Sequence, residues 1–506
     1  MGENNTMKTV TDYLDNSAVL YPDKVAFADE KREITFAELK NEAQKIACGL
    51  IRKNITKSPV AVYMNKQVEC INAFMGIAYS GNFYTAIDTG MPINRIEKIV
   101  DKLDPQIVIT DKAHLDYASL FCRKASEIML YEDLMRQTVD EDMLLRTCKR
   151  IVDTDVLYVL FTSGSTGTPK GVVISHKAVI AYVEWCAEEF AIDSNTIFAN
   201  QTPFYFVMSG LDIYQTLRNG STTYIVPKQL FSFPVTLLDY LKEKKVNTLY
   251  WVPSALCTVA NFRALPEVHL DELRLVMFGG EVMPTKQLNM WIDEYPNVTF
   301  VNQYGPTEMT DIIAYYKVNR RHNNDESLPI GVPCDHMEIM LLDDNDNLVI
   351  DDKIGELCGR GPSLAYGYYN EPEKTAEVFV QNPFNKSYEE KIYRTGDLAR
   401  YNEYGELIYV SRKDFQIKHM GNRIELGEIE TAVSSIEGVE RNCCLYDTKR
   451  SKIVLFFVGS AAKEDIREKL KAMLPEYMIP NKINKLDSMP MNLNGKVDRT
   501  NLKEMI

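Results

Sequence analysis

The chain has 506 residues, of which 45% are hydrophobic and 25% are charged, and its formal net charge is −14. A chain of this length is too long for a single hydrophobic core and predicts several subdomains. The negative charge argues against a nucleic-acid binder that neutralises phosphates with Lys and Arg, and no apolar stretch reaches the length of a membrane span. Neither nucleic acid nor a membrane is therefore an expected partner.

Strands and helices are predicted to alternate over the first 110 residues. Apolar runs predict a strand pair within 25–35 and further strands at 60–63, 81–88 and 107–110. Amphipathic or apolar helices are predicted at 36–51, 70–79 and 93–103. This alternation is typical of βαβ units built around a parallel sheet.

A further buried strand is predicted over 156–161, and it ends in a turn of hydroxyl and glycine residues that runs to Lys170. Glycines allow backbone N–H groups to wrap an anion, and the hydroxyls and the lysine add donors and positive charge. The pattern predicts a polyphosphate cradle at the carboxyl end of a strand, the usual ligand side of an open α/β sheet. It differs from the standard P-loop because Pro169 precedes Lys170.

Two later strands also end in turns of small or polar residues. The run 275–278 leads into Gly279, Gly280 and Glu281, and the run 298–302 leads into the polar turn 303–308. The ends of these strands are therefore expected to line one pocket. Between the cradle and these strands the alternation continues, with helices at 178–190, 211–217 and 237–244 and strands at 196–199, 223–226 and 248–252.

The pattern changes near residue 330. Short apolar runs at 339–342, 347–350 and 355–359 are separated by Asp, Asn and Gly, which is typical of an antiparallel or barrel-like subdomain. The last ~90 residues have the size of a small domain and mix strands with helices. The predicted fold class is therefore α/β: a large N-terminal domain of parallel-type α/β subdomains with a β-barrel-like subdomain, followed by a small α+β C-terminal domain.

The ten cysteines are scattered, and none of them forms a C-x-x-C pair. This spacing argues against a zinc site and favours buried thiols. The first residues do not resemble a signal peptide. We therefore expect a reducing, cytoplasmic location.

Several motifs occur in the order typical of one superfamily. They lie at 162–171, 302–308, 355–361, 393–397, 412–430 and 494–499. On these motifs essentially the whole chain resembles the adenylate-forming enzymes, which include nonribosomal-peptide adenylation domains, acyl- and aryl-CoA ligases and luciferases. The Tyr-Gly-Pro-Thr-Glu and Asn-Gly-Lys-Val-Asp-Arg motifs resemble amino-acid adenylation domains and D-alanine–carrier-protein ligases more than CoA ligases.

The resemblance implies an acid–thiol ligase with two half-reactions. A carboxylate attacks the α-phosphate of ATP, which gives an acyl-adenylate and pyrophosphate, and the phosphopantetheine thiol of a carrier then takes the acyl group. ATP and Mg²⁺ are the implied cofactors. The carrier is expected to be a separate protein, because no Gly-Gly-x-Ser attachment motif follows Lys496, and the enzyme is expected to be a monomer.

The resemblance also implies which residues bind the nucleotide. Contacts with the β- and γ-phosphates are implied for Thr162, Ser163, Ser165, Thr166 and Lys170. Mg²⁺ is implied to bind Glu308, with help from Thr162. The adenine is implied to lie between Asn302 and Tyr304 and the turn Gly279, Gly280, Glu281, and the ribose hydroxyls on Asp397, supported by Arg412.

Motion of the C-terminal domain is a further implication of the resemblance. The adenylation core would comprise residues 1–410, the hinge 411–414 with Asp414 at its centre, and the mobile lid 415–506. In the first pose Lys496 would reach the substrate carboxylate and the α-phosphate. In the second pose a loop at 418–421 would turn toward the site for thioester formation.

The resemblance assigns nine positions to the acid pocket. They are Val207, Met208, Leu211, Tyr250, Met277, Gly279, Gln303, Asp311 and Ile312. In amino-acid adenylation domains, an aspartate at the position of Val207 pairs with the α-ammonium, and an alkyl group cannot replace it. The acid is therefore expected to be an aryl, α-keto, hydroxy or short aliphatic acid, or an amino acid whose amine reaches Asp311. The alternative is a shifted alignment in which Asp212 or Asp311 serves an ordinary amino acid.

Three other functions remain open at this point. A CoA ligase and a D-alanine–carrier-protein ligase would share the fold and the first half-reaction. A catalytically silent nucleotide-binding scaffold is the third, and the intact Thr162, Glu308, Asp397 and Lys496 argue against it.

Overall fold

The computed structural model describes residues 8–123, 126–164, 168–413, 416–491 and 497–506. The chain falls into two compact units. Unit 1 comprises 1–89, 104–160 and 172–413, and unit 2 comprises 90–103, 161–171 and 414–506. The predicted hinge and mobile lid remain predictions, and Asp414 lies outside the described residues.

The strands of the described chain are numbered in chain order. The first fifteen are β1 (Val25–Ala28), β2 (Glu33–Thr35), β3 (Pro59–Tyr63), β4 (Phe83–Ile87), β5 (Ile107–Thr110), β6 (Glu127–Leu130), β7 (Val156–Thr162), β8 (Lys170–Ser175), β9 (Ile197–Asn200), β10 (Thr222–Ile225), β11 (Thr248–Trp251), β12 (Leu275–Gly279), β13 (Thr299–Tyr304), β14 (Ala314–Lys317) and β15 (Val332–Pro333). The others are β16 (Glu338–Leu342), β17 (Gly355–Arg360), β18 (Phe379–Gln381), β19 (Lys391–Tyr401), β20 (Leu407–Arg412), β21 (Gln416–His419), β22 (Asn422–Glu425), β23 (Val439–Asp447), β24 (Lys452–Gly459) and β25 (Lys482–Lys485).

The helices of the described chain are numbered in the same way. They are α1 (Val10–Leu20), α2 (Phe36–Ile51), α3 (Val68–Tyr79), α4 (Ile93–Leu103), α5 (Leu115–Phe121), α6 (Tyr131–Leu134), α7 (Glu141–Cys148), α8 (His176–Glu189), α9 (Ser209–Asn219), α10 (Pro234–Glu243), α11 (Pro253–Asn261), α12 (Thr285–Glu294), α13 (Pro372–Val378), α14 (Leu426–Ser434), α15 (Lys463–Lys471) and α16 (Arg499–Glu504). None of those in the described ranges combines the length and the apolar character that a membrane span requires.

Unit 1 is built around a nine-stranded sheet with the order β15-β14-β13-β12-β11-β9-β10-β1-β2. The central pairs from β13 to β1 are parallel, and the outer pairs β13–β14, β14–β15 and β1–β2 are antiparallel. The predicted α/β class is therefore confirmed. Parallel strands place their carboxyl ends on one edge, which is where β11, β12 and β13 present the candidate site.

A second large sheet has the order β6-β5-β3-β4-β7-β8, and the pairs from β6 to β7 are parallel. Its strand β7 ends at Thr162, so the predicted cradle follows a strand as the sequence indicated. The helix α3 between β3 and β4 is buried along nearly its whole length, because its residues are apolar on all sides.

The predicted antiparallel subdomain is a five-stranded sheet with the order β16-β17-β19-β18, in which β20 also pairs with β19. One predicted strand, 347–350, is wrong. Only Leu348 pairs there, in an isolated bridge with Leu342. The carboxylate of Asp343 accepts hydrogen bonds from the backbone N–H groups of Asn345 and Asn347, which closes a turn where a strand would need those donors.

Unit 2 has its own hydrophobic core, in which α14 and α15 pack on a three-stranded sheet of order β23-β24-β25. Ile429, Leu455, Phe457 and Leu470 are fully buried there. The antiparallel pair β23–β24 and the parallel pair β24–β25 give the α+β character that the sequence predicted for this region.

Acid should destabilise unit 1 through His176, which is buried at the first position of α8. Burial lowers the pKa of His176 to about 4, and its Nδ1 accepts a hydrogen bond from the backbone N–H of Val10 at 3.3 Å. Between the unfolded pKa near 6.5 and the folded value, only the unfolded chain takes up the proton, so stability falls as the pH falls. From pH 7 to pH 5 the loss should be about 2 kcal/mol.

Urea unfolding at several pH values measures this effect. A His176→Asn variant keeps an acceptor but has no proton to take up, so its stability should depend less on pH by the same amount. Equal pH dependence of the variant and the original protein would contradict the assignment.

Candidate active site

One cluster of predicted site residues in unit 1 is formed by Asp397, Arg412 and Tyr304. Asp397 on β19 is the register partner of Arg412 on β20. Arg412 Nη1 donates to Asp397 Oδ1 at 2.6 Å, and the Tyr304 hydroxyl donates to Asp397 Oδ2. Both hydrogen bonds favour the ionised carboxylate, which is only 4% exposed. A fixed, charged acceptor of this kind is suited to binding a pair of hydroxyl groups.

Asn302 and the glycine turn lie on the two strands next to this cluster. Asn302 on β13 is buried, and its side-chain amide donates to the carbonyl of Pro329 at 2.7 Å. A Cβ at Gly279 would lie 2.8 Å from the carbonyl oxygen of Gln303, so only glycine lets β12 and β13 end side by side. Glu281 accepts from the backbone N–H of Ser254 at 3.1 Å, which ties the turn to α11.

Glu308 lies in the 3₁₀ turn Thr307–Met309 and is fully buried. The Tyr368 hydroxyl donates to its Oε1 at 2.8 Å, and its carbonyl accepts from the backbone N–H of Ala365. The turn needs Gly305, since a Cβ there would lie 1.9 Å from the carbonyl oxygen of Asp311. The described residues contain no cluster of three or more His, Cys, Asp or Glu side chains that would hold a metal ion by themselves.

The predicted acid-pocket residues are all buried. Val207, Met208, Leu211, Tyr250, Met277, Gln303, Asp311 and Ile312 are each at most 7% exposed, and Gly279 is buried with them. Asp311 accepts hydrogen bonds from the hydroxyls of Tyr182 and Tyr250. These residues therefore form a polar cluster within an otherwise apolar region.

Asp212, the other carboxylate considered for the acid, has different neighbours. Its Oδ2 accepts from the amide of Asn200 at 2.7 Å. Burial raises the pKa of Asp212 to about 7, and the nearby Lys66 ammonium opposes that rise. Lys66 itself donates to the carbonyls of Asn200 and Gln201. Asp212 is thus engaged in a local network at the end of β9.

The cradle residues that the structure describes belong to unit 2. The hydroxyl of Thr162 is buried and has no hydrogen-bond partner among the described residues, which suits a group that awaits a ligand. Ser163 donates to the carbonyl of Arg423 at 2.7 Å. Lys170 Nζ lies 3.8 Å from Glu425 Oε1. Four predicted residues lie outside the described chain: Ser165, Thr166, Asp414 and Lys496.

Arg423 and Glu425 belong to the hairpin of β21 and β22, whose turn contains Met420 and Gly421 with positive φ. The amide of Gln416 donates to Glu425 and fixes its carboxylate. Beyond the hairpin, Arg95 on α4 forms a buried ion pair with Glu428 on α14. Within unit 2 the hairpin thus takes a hydroxyl and faces a lysine that the sequence assigns to the nucleotide phosphates.

A Glu425→Gln substitution should therefore lower the KM for ATP. The change removes a carboxylate that competes for the Lys170 ammonium, and a part-buried pair at this distance is worth roughly 0.5–1 kcal/mol, or about two- to fivefold in affinity. ATP-dependent pyrophosphate exchange at saturating acid measures the KM. The matched control is Glu430→Gln, which removes an ion pair with Arg499 in the same unit. The same KM change in both variants would contradict a specific role for Glu425.

Sequence reasoning missed several residues of these clusters. Tyr182, Tyr368 and Thr395 were not predicted, although the Thr395 hydroxyl accepts the backbone N–H of Asp397 at 3.0 Å. Tyr182 is 129 positions from its partner Asp311, and Tyr368 is 60 positions from Glu308. A tyrosine on a buried helix face has no local signal that separates it from a core residue.

Three comparisons with known proteins agree with this geometry. The profile of the family described as AMP-binding enzyme matches residues 14–369. A D-alanine–D-alanyl carrier protein ligase of Bacillus licheniformis is 31% identical over 96% of this chain and 97% of its own length. A mycosubtilin synthase of Bacillus subtilis is 33% identical over 97% of this chain, which spans only 19% of that relative.

Among solved structures, holo-PA1221 has a TM-score of 0.84 and 23% identity, over 99% of this chain and 84% of its own. Its name describes an NRPS protein with adenylation and PCP domains. At this identity the likeness concerns the fold alone.

Proposed function

The chain belongs to the AMP-binding enzyme family, and from that premise we propose that it activates a carboxylic acid with ATP and passes the acyl group to the phosphopantetheine thiol of a separate carrier protein. It is an adenylate-forming acid–thiol ligase. The observation that supports nucleotide use most strongly is the buried Asp397, whose carboxylate is held by Arg412 and Tyr304.

In the first half-reaction an oxygen of the substrate carboxylate attacks the α-phosphorus of ATP. The bond from that phosphorus to the bridging oxygen breaks, and pyrophosphate leaves with the electron pair. Asp397 would hold the ribose hydroxyls, with Asn302 and Tyr304 beside the adenine. Thr162, Ser163 and Lys170 would hold the departing phosphates, together with Ser165 and Thr166. Such catalysis rests on positioning and charge stabilisation.

In the second half-reaction the thiol attacks the carbonyl carbon of the acyl-adenylate. A thioester forms, AMP leaves, and the thiol proton goes to solvent. We propose that a swing at Asp414 separates the two poses, as the 1–410, 411–414 and 415–506 division requires. The relatives named for D-alanyl carrier protein ligation support a carrier over free CoA, and we propose that the enzyme works as a cytoplasmic monomer.

Mg²⁺ fits the chemistry of Glu308. This ion is usually held by one or two protein carboxylates together with substrate phosphates and water, and Glu308 is a buried carboxylate in a rigid turn. The buried hydroxyl of Thr162 is the second group that we propose for this role. When bound, the ion would neutralise negative charge on the phosphates.

A pyrophosphate-exchange panel over amino, aryl, keto and short aliphatic acids tests the proposal. We expect ATP-dependent exchange with one chemical class. Transfer of the activated acyl group is then measured against a holo-carrier and against free CoA, and preference for the carrier is expected. Exchange with none of the acids would contradict adenylation, and preference for CoA would replace the carrier by a soluble thiol.

A further inference from the structure

Three residues of the candidate acid pocket lie on the same face of the nine-stranded sheet. Tyr250 on β11 is the register partner of Met277 on β12, and Met277 is the partner of Val301 on β13. Gln303 is two positions beyond Val301, so its side chain points to the same face. Gln303 also contacts Met277 directly, as described below. This face therefore gathers polar groups from neighbouring strands.

Asp311 joins this face through its side chain. Its Oδ2 accepts hydrogen bonds from Tyr182 at 2.9 Å and from Tyr250 at 3.0 Å, so helix α8 and strand β11 both fix the carboxylate. Asp311 is 4% exposed and has φ 84°, a conformation that few non-glycine residues adopt. Burial, followed by the charge of Asp311, raises the pKa of both tyrosines well above the usual value. Their hydroxyls therefore stay protonated and act as donors.

Gln303 provides a second and independent observation. Its Nε2 donates to the sulfur of Met277 at 3.4 Å, and because a thioether only accepts, this contact sets the orientation of the amide. The Oε1 atom is buried and has no partner among the described residues. A buried carbonyl oxygen without a donor lowers stability unless a ligand or water supplies one.

We propose that Asp311 and Gln303 bind the ammonium group of an amino-acid substrate, an inference that rests on the proposed adenylation. An ammonium carries one positive charge and three donors, which complement a carboxylate and an amide oxygen. The adjacent side chains of Val207, Met208 and Leu211 are apolar and offer no acceptor. Asp212 is held by Asn200 and lies near Lys66, whose positive charge disfavours a second cation there.

The residues therefore select an acid that carries an amine over the same acid without one. In an apolar surrounding, a cation that lacks its carboxylate partner binds poorly, and a deaminated acid leaves Asp311 and Gln303 without the matching donors. Tyr182 and Tyr250 act as positioning residues, because they touch the carboxylate and not the substrate.

The experiment compares pyrophosphate exchange for α-, β- and γ-amino acids of both configurations with their deaminated and aryl counterparts. The best substrate should be an amino acid. For it, Asp311→Asn should lower kcat/KM by about tenfold or more and reduce the preference over the deaminated counterpart, with the KM for ATP unchanged. Asparagine keeps the shape and tolerates the positive φ. Gln303→Met should have a smaller effect in the same direction.

Asp212→Asn is the matched control, since it removes a buried carboxylate of the same region and should leave the preference for the amine unchanged. If Asp311→Asn does not fold, Tyr250→Phe tests the same point with a loss of a few-fold. Best exchange with a deaminated or aryl acid, or an amine preference that survives Asp311→Asn, would overturn the inference and leave adenylation intact. Absence of exchange with every acid would instead contradict the proposed function.

Discussion

Lys496→Ala should nearly abolish pyrophosphate exchange and leave thiol transfer largely intact. We expect its ammonium to neutralise charge between the carboxylate and the α-phosphate in the transition state of adenylation. Removal of one such stabilising group typically costs about 10²–10³ in rate. The second half-reaction proceeds in a pose from which Lys496 is expected to have moved away, so a supplied acyl-adenylate should still be transferred.

The measurement is a pair of assays on one variant: ATP-dependent exchange, and transfer from a synthetic acyl-adenylate to a holo-carrier. Lys485→Ala is the matched control, because Lys485 is an exposed lysine on β25 of the same unit. It should behave as the original protein in both assays. Equal loss of both half-reactions in Lys496→Ala would contradict the two-pose mechanism.

Local sequence predicted the parts of the fold that local patterns determine. The strand before the cradle, the helix α4 and the glycine turn after β12 follow from apolar runs, amphipathic spacing and steric demands that lie within a few residues. The strand predicted at 347–350 failed because the side chain of Asp343 captures backbone N–H groups, a local competition that an apolar run does not reveal.

Contacts between distant segments were beyond the sequence alone. The motifs identified Asp397 and Arg412, but only the β19–β20 register places them opposite each other. Nothing in the sequence around Tyr182 indicates a contact with Asp311, and nothing near Ser163 indicates a bond to Arg423. These pairings depend on strand order and helix packing, which follow from the whole fold.

Asp397→Ala should raise the KM for ATP and leave the choice of acid unchanged. The carboxylate has about four lone-pair sites, and Arg412 and Tyr304 each use one of them. The remaining sites can accept the two ribose hydroxyls. Without the carboxylate those hydroxyls lose their acceptor in a buried place, which costs about 1–3 kcal/mol, or roughly 5- to 150-fold in ATP affinity.

Initial rates of exchange measured against ATP and against the acid separate the two effects. The isosteric Asp397→Asn variant keeps the side-chain volume but weakens the pairing with Arg412, which is only 10% exposed in its side chain. Its melting temperature therefore reports how much of any loss is structural, because a buried cation without its partner destabilises the fold.

Tyr304→Phe is the matched control for this prediction. It removes the hydroxyl that donates to Asp397 Oδ2 and retains the ring and the carboxylate. Since a neutral donor of this kind stabilises its acceptor by about 1 kcal/mol, the KM for ATP should rise less than in Asp397→Ala. A normal KM for ATP combined with an altered acid preference in Asp397→Ala would move Asp397 out of the nucleotide site, because a residue that holds the ribose has no reason to discriminate between acids.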